Sequence, residues 1–302
     1  MTLRLGTRGS DLALVQADWV RGELRRRDPS LAVEVVTIRT SGDVRSTGRL
    51  ASVGGKGLFL KEIQEAMLAG EVDFAVHSMK DVPAQSVAGL VLAAVPARAD
   101  ARDVLIGSGG TGLRGLRAGA RVGTASTRRR AQLLAHRPDL EVVVLRGNVP
   151  TRLRKWRAGE VDALVLAAAG LARLGLQEED AVVLEPSELL PAVGQGALAL
   201  ECRRDDAAMR RRLESLADTE ASIAVAAERG FLIGIGGDCD TPLAAHATVR
   251  DGRVSCSAEV LAPGGDRRVA ATDEGPAARA FAMGRGLAER LLAQGAGALL
   301  RP

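Results

Sequence analysis

The sequence of 302 residues contains no tyrosine, only 2% aromatic residues, three cysteines and three histidines. Stacking platforms for single-stranded nucleic acid depend on aromatic side chains, so their scarcity argues against that class of protein. Three widely spaced cysteines argue against a disulfide framework and a zinc knuckle, and three histidines argue against a His-rich metal site. The longest apolar run, Ala163–Ala172, is about half of the roughly 20 residues that a membrane span needs.

The chain also lacks a strong excess of either charge. It has 41 basic and 37 acidic residues, a net charge of +4, which weighs against a nucleic-acid-binding regulator. Only four of the basic residues are lysine, and three of these lie between residues 56 and 80, so that segment stands out from an arginine-rich surface. The first residues show no apolar secretory signal, and we expect a cytoplasmic protein.

Short apolar runs alternate with helical patterns through the first two-thirds of the chain, which predicts parallel sheets built from βαβ units. The expected strands are Leu3–Leu5, Ala32–Ile38, Asp73–Val76, Leu90–Val95, Arg121–Val122, Glu141–Leu145 and Ala163–Leu166. The expected helices are Ser10–Arg27, Gly57–Ala69, Thr127–His136, Pro150–Ala158 and a short helix ending at Leu174.

A different pattern begins after Pro191, and it predicts a small antiparallel α+β domain. Asp251-Gly252 is a strong hairpin signal between two alternating segments. The expected strands here are Ala197–Glu201, Ala244–Arg250, Arg253–Leu261 and Arg268–Ala271, and the expected helices are Asp205–Leu216, Thr219–Leu232 and Pro276–Ala293.

Two similar turns follow strands and open helices, Gly6–Ser10 and Gly123–Thr127. The start of a helix leaves backbone N–H groups unpaired and attracts anions, so these turns are candidate anion sites. Ordinary N-capping by Ser10 and Thr127 is the alternative reading of each turn. Their recurrence beside Arg8 and Arg128 indicates a cleft with anion sites on both walls.

Further candidates lie in three segments after strands. His77–Pro83 places Lys80 and Asp81 where α/β sheets bind ligands, although a solvated turn with an incidental ion pair is equally consistent with the spacing. Val53–Phe59 lacks the spacing of a nucleotide-binding phosphate loop and is interpreted as a glycine-hinged lid. Leu145–Leu153 adds arginines to those of the second turn, and arginine forks favour carboxylate or phosphate ligands.

The order and spacing of several motifs make the chain similar, along nearly its whole length, to the porphobilinogen deaminase (hydroxymethylbilane synthase) family. The motifs are VGGKGLF, AVHSMKDVP, LRGNVPTRL, LPAVGQGAL followed by ECR, and Gly-Gly-x-Cys-x-x-Pro around Cys239. The resemblance implies an α/β fold of two periplasmic-binding-protein-like lobes with mostly parallel sheets. It adds a small C-terminal α+β domain with a three-stranded antiparallel sheet. The implied domains are 1–96 with 197–215, then 101–191, then 219–302.

The resemblance also implies a reaction. Four porphobilinogen molecules are joined head to tail on a covalent dipyrromethane cofactor with release of four ammonia molecules, and hydroxymethylbilane is then hydrolysed off. Asp81 would be the catalytic group that assists loss of the amine, and Cys239 would hold the cofactor by a thioether. The implied protein is a monomer whose partner is its small-molecule substrate, with no nucleic acid and no membrane.

Other roles follow from the same resemblance, since every pyrrole carries an acetate and a propionate. The residues expected to bind cofactor and chain carboxylates are Lys80, Ser126, Arg128, Arg129, Arg146 and Arg152. Those expected to serve the substrate and the moving chain are Arg8, Ser10 and Arg173, with Gln195 at the interdomain crossover and Lys56 and Phe59 in the lid. The chain departs from the family pattern at Ser41, Ser52, Ala125 and Asp238. A non-catalytic two-lobed protein that binds a polycarboxylate remains the alternative function.

Overall fold

The computed structural model describes residues 2–40, 60–237 and 241–300. The chain divides into two compact units, Met1–Arg98 with Ala197–Ser222, and Ala99–Gly196 with Ile223–Pro302. The division into three domains expected from the sequence stays a prediction. No helix within the described ranges is both long enough and apolar enough to cross a membrane.

The first unit is built on a five-stranded sheet with the order β2-β1-β3-β10-β4. Four strands run in the same direction and β10 runs against both of its neighbours. The strands are β1 (Thr2–Thr7), β2 (Ala32–Thr37), β3 (Phe74–Ser78), β4 (Leu90–Ala94) and β10 (Leu198–Arg203). The helices are α1 (Asp11–Arg27), α2 (Lys61–Leu68) and α6 (Ala207–Glu214).

The second unit contains another five-stranded sheet, with the order β7-β6-β8-β5-β9. Here β5 is the reversed strand, antiparallel to both β8 and β9. The strands are β5 (Asp103–Ile106), β6 (Arg121–Gly123), β7 (Glu141–Val143), β8 (Ala163–Ala167) and β9 (Val182–Leu184). The helices are α3 (Thr127–His136), α4 (Val149–Arg157) and α5 (Ala168–Arg173).

The third sheet is antiparallel and has the order β11-β12-β13. Its strands are β11 (Leu243–Arg250), β12 (Arg253–Leu261) and β13 (Arg268–Pro276), and α7 (Thr219–Ile235) and α8 (Ala280–Ala293) complete this region. Phe231, Val254 and Leu287 are fully buried in the core between the sheet and the helices. The mixed α/β class with mostly parallel strands and a small antiparallel sheet is as the sequence predicts.

Two strands were absent from the sequence prediction, namely β5 and β9. All four residues of β5 are buried, so it lacks the alternation of a half-buried strand, and β9 has only three residues. The reversed direction of β10 was also not expected, because periodicity reports which residues are buried and not which way a strand runs. Both reversed strands lie inside their sheets, where pairing on two sides fixes their direction.

The hairpin at Asp251-Gly252 is confirmed, because both residues have positive φ, 50° and 71°, as a two-residue turn of this kind requires. Gly265, in the loop between β12 and β13, also has a positive φ, and it lies against α3. A Cβ atom at Gly265 would come within 2.5 Å of both the Ala131 carbonyl oxygen and the Ala135 nitrogen. The loop between β12 and β13 therefore docks on α3 through a residue without a side chain.

Gly265→Ala should destabilise the protein considerably more than Gly252→Ala. Both substitutions impose a positive φ on alanine, at roughly 1–2 kcal/mol. An added Cβ at Gly252 meets nothing within 4 Å, whereas at Gly265 it must displace the backbone of α3. We expect a further cost of about 1–3 kcal/mol for Gly265→Ala. Denaturant unfolding of the two variants measures this difference, and equal losses would show that the loop does not pack on α3.

Candidate functional site

In the first unit, the turn between β1 and α1 is an ordinary helix N-terminus with polar side chains around it. The Ser10 hydroxyl accepts a hydrogen bond from the Ala13 nitrogen at 3.4 Å, which confirms Ser10 as the N-cap. Arg8 is half-buried beside this cap. Capping and anion binding are compatible here, because one serine oxygen satisfies only part of the helix start.

A pocket opens at this turn and extends to the end of β3. Its polar lining is Thr7, Arg8, Ser10, Gln16, His77, Ser78 and Asp81. Asp81 ends the short 3₁₀ turn Met79–Asp81 that directly follows β3, and its side chain is exposed. Lys80 in the same turn is also exposed. The structure therefore brings together Asp81, Arg8 and Ser10, three of the residues singled out from the sequence.

Two lining residues, Gln16 and Ser78, were missed by the sequence analysis. The Gln16 amide donates a hydrogen bond to the Ser78 hydroxyl oxygen at 3.0 Å, which ties α1 to the end of β3. Gln16 is buried, and a polar residue on the inward face of an otherwise apolar helix stripe was the signal that could have identified it.

A buried polar cluster supports β3 close to this pocket. The Glu201 carboxylate on β10 accepts hydrogen bonds from the Gln64 amide at 3.1 Å, and His77 Nε2 lies 3.1 Å from Glu201 Oε2. All three side chains are buried. His77 lies two residues before the turn of Asp81, so this cluster fixes the strand from which the turn begins.

In the second unit, the turn between β6 and α3 has the same design as the first turn. The Ser126 hydroxyl accepts a hydrogen bond from the Arg129 nitrogen at 3.3 Å. Ser126 is thus the N-cap, one residue before the predicted Thr127. The Thr127 hydroxyl oxygen is buried and has no hydrogen-bond partner among the described residues.

Arg128 and Arg129, predicted to bind carboxylates, are both buried and both bind Asp103. The carboxylate of Asp103 accepts from Arg128 Nη2 at 2.6 Å and from Arg129 Nη2 at 2.7 Å. Burial on its own would raise the pKa of Asp103, but the two guanidiniums outweigh it and hold that pKa well below its usual range. Burial lowers the pKa of Arg128.

Gln195 is buried in the segment between β9 and β10 and contacts the same carboxylate. Its amide nitrogen donates to Asp103 Oδ1 at 2.8 Å and to the Ala101 carbonyl oxygen at 2.7 Å. Sequence reasoning placed Gln195 at the crossover but missed Asp103. An acidic residue opening a short, wholly buried strand was the signal available there.

Two further predicted arginines, Arg152 and Arg173, are half-buried, and partial desolvation perturbs the pKa of both. Burial, and then the charge of Arg129, lower the pKa of Arg152 to about 10. Burial also lowers the pKa of Arg173, which donates to the Gly196 carbonyl oxygen at 2.7 Å. Neither guanidinium forms an ion pair with any residue that the structure describes. Arg146, by contrast, is exposed.

Several predicted residues lie outside the described ranges: Cys239, Lys56 and Phe59, together with Ser41, Ser52 and Asp238. The other two cysteines, Cys202 and Cys256, are buried. Burial raises the pKa of the Cys202 thiol to about 11, which makes it a poor nucleophile. Neither described cysteine is therefore a candidate for the covalent attachment of a cofactor.

The residues of the second unit fit a group that carries several carboxylates. Buried donors require acceptors, yet Arg152 Nε, Arg129 Nε and the Thr127 hydroxyl have none within the described chain. The mutual repulsion of Arg129 and Arg152 would also be relieved by added negative charge. The acetate and propionate side chains of a dipyrromethane supply both acceptors and charge.

Fold and site together define a mixed α/β protein that has an exposed carboxylate at a strand end in one unit and buried arginines at the start of a helix in the other. Residues 3–211 match the model of the "Porphobilinogen deaminase, dipyromethane cofactor binding domain", and residues 222–293 match the "Porphobilinogen deaminase, C-terminal domain". The chain belongs to the porphobilinogen deaminase family.

Curated relatives agree with this assignment. The porphobilinogen deaminase of Desulforudis audaxviator is 50% identical over 296 residues, covering 98% of this chain and 96% of the relative. That of Syntrophotalea carbinolica is 49% identical over 298 residues, covering 99% and 95%. Membership of an enzyme family, with a cofactor-binding domain matched over most of the chain, favours the transferase over the non-catalytic binding protein.

Proposed function

We propose that this chain joins four porphobilinogen molecules head to tail on a dipyrromethane cofactor, releases four ammonia molecules and hydrolyses off hydroxymethylbilane. Two observations carry the proposal: Asp81 is exposed at the end of β3 in the first unit, and the second unit contains half-buried, desolvated arginines that have no acidic partner in the described chain. When bound, the dipyrromethane supplies a covalent primer, which makes each condensation an intramolecular step.

Asp81 is proposed as the catalytic residue. Positive charge develops on the substrate as its amine leaves as ammonia, and the Asp81 carboxylate lies in the pocket where it stabilises that charge. As the new carbon–carbon bond forms, an Asp81 Oδ atom accepts the proton that the pyrrole ring carbon loses. Arg8 and Ser10, at the start of α1 in the same pocket, bind the substrate's carboxylates.

The second unit is proposed to hold the cofactor and the growing chain. Arg152 and Arg173 present half-buried positive charge, and Ser126, Arg128 and Arg129 surround the start of α3. Lys80 and Arg146 are exposed and therefore accessible to a ligand. Gln195 is proposed to act at the crossover, and Lys56 and Phe59 in the lid. We also propose that the enzyme is monomeric and cytoplasmic and that it binds no nucleic acid. The small net charge of +4 supports the last of these points.

Intact mass spectrometry of the purified protein tests the cofactor and its anchor together. We expect a mass excess equal to two linked pyrroles, lost in Cys239→Ser and retained in Cys256→Ala, because Cys256 is buried in β12. If the wild-type protein shows the bare chain mass, porphobilinogen is added and the mass is measured again. A wild-type chain that still gains nothing, or a Cys239→Ser variant that keeps the excess, would contradict the proposal.

A further inference from the structure

The Asp103 carboxylate is the meeting point of three donors from different parts of the second unit. Arg128 and Arg129 bind it from α3 at 2.6 and 2.7 Å, and Gln195 binds it at 2.8 Å. Asp103 itself has no exposed surface. It opens β5 and pairs with Ala167 of β8 on one side and Leu184 of β9 on the other. The sheet therefore fixes the position of this carboxylate.

Each of the two guanidiniums is held in the same way, by Asp103 and by one main-chain carbonyl. Arg128 Nη1 donates to the Leu190 oxygen at 2.6 Å, and Arg129 Nη1 donates to the Val165 oxygen at 3.0 Å. Two like charges in a buried site repel one another strongly. A carboxylate shared between the two guanidiniums attracts both of them, and this attraction outweighs their mutual repulsion. The pair together with Asp103 keeps one net positive charge.

The same carboxylate connects the arginines to the segment before β10. Gln195 follows Gly194, whose nitrogen donates to the fully buried Glu228 of α7 at 2.6 Å. The other Glu228 oxygen accepts from the Ala247 nitrogen of β11 at 2.8 Å. One line of short contacts thus runs from Arg128 and Arg129 through this segment to the third sheet.

We propose that Asp103 is a positioning residue for carboxylate binding. It acts through Arg128 and Arg129: it holds the two guanidiniums in a fixed orientation and leaves the group with one net positive charge before the cofactor binds. The inference rests on the proposed function, in which these arginines hold cofactor carboxylates. Without Asp103, the two guanidiniums face each other uncompensated, and at least one must turn away from the start of α3.

The experiment that tests this inference measures the rate at which the protein acquires its cofactor, and not the rate of turnover. Full-length protein is expressed in a host that makes no porphobilinogen, checked for folding by circular dichroism, and then given porphobilinogen while its intact mass is recorded over time. We expect Asp103→Asn to acquire the two pyrroles at least tenfold more slowly than the wild-type protein. Its KM for porphobilinogen, measured on the loaded fraction, should also rise.

Asp73→Asn is the matched control, because Asp73 is a buried aspartate of the first unit that accepts 2.8 Å hydrogen bonds from the nitrogen and the guanidinium of Arg4. It should lower the melting temperature and leave the acquisition rate within twofold of wild type. If Asp103→Asn lowers the melting temperature but acquires the cofactor at the wild-type rate, its role is structural only and the inference is overturned.

Two further outcomes, a wild-type protein without cofactor and a variant that does not fold, can be distinguished from a failure of the inference. A wild-type protein that acquires nothing contradicts the proposed function and not the role of Asp103 alone. If Asp103→Asn does not fold, Gln195→Met replaces it, since this change removes the 2.8 Å contact without altering charge. We expect acquisition to slow at least threefold in Gln195→Met, and an unchanged rate would overturn the inference.

Discussion

Asp81→Asn should leave a folded protein whose turnover is reduced by at least about 100-fold, the lower end of what a positioned acid or base contributes. Asparagine has a similar shape but carries no charge and accepts no proton from the ring carbon. The side chain is exposed in a 3₁₀ turn, so the substitution breaks no buried contact with the residues that the structure describes. Turnover is measured as hydroxymethylbilane formed per molecule that carries the cofactor, with loading determined by intact mass.

Asp205→Asn serves as the control for removing an exposed aspartate from the same unit. Asp205 lies in the turn between β10 and α6, and its side chain is exposed. Its turnover should stay within twofold of the wild-type value. If Asp81→Asn kept more than a tenth of wild-type turnover at full loading, the catalytic role of Asp81 would be refuted.

Arg152→Met should make the protein without cofactor more stable and at the same time impair cofactor binding. The Arg152 charge is desolvated and repelled by Arg129, as its lowered pKa of about 10 shows, and methionine removes this cost while filling similar space. Hydrogen bonds to charged groups contribute about 1.5–3 kcal/mol, so losing Arg152 should slow or weaken cofactor acquisition by about 10- to 100-fold.

Arg154→Met provides the comparison on the same helix, α4. Arg154 is exposed, so its removal should change neither the melting temperature nor cofactor acquisition appreciably. Thermal unfolding of protein made without porphobilinogen measures the first effect, and the mass time course measures the second. If Arg152→Met without cofactor melted at a lower temperature than the wild-type protein without cofactor, the arginine would stabilise the fold and the prediction would be wrong.

Both predictions follow from the proposed function, in which these charged side chains bind an anionic ligand. Asp81 is exposed at a strand end, whereas Arg152 and Arg173 are half-buried, desolvated charges with no ion pair in the described chain. Buried unpaired charge is costly unless a partner arrives. A polyanionic cofactor is such a partner, and its binding free energy offsets the cost.

Local chemistry allowed much of the fold to be predicted. The apolar periodicity located α3 to the residue, Thr127–His136, and the paired turn residues Asp251-Gly252 located the hairpin. The position of Lys80 and Asp81 after a predicted strand made both residues candidates, the family resemblance singled out Asp81, and the structure has this turn directly after β3. Such features depend on neighbours in the sequence, so they are visible without a structure.

Other features depend on contacts between distant segments, and only the tertiary structure decided them. The reversed directions of β5 and β10 follow from pairing with strands that are remote in the chain. Asp103 lies 25 residues from Arg128 and 92 from Gln195, yet all meet at one buried carboxylate. The sequence by itself determined the family motifs, the helix cap at Ser10 and the hairpin, because short-range preferences fix them. The tertiary structure decided which charges are buried and paired, because burial and pairing arise only when separate segments pack together.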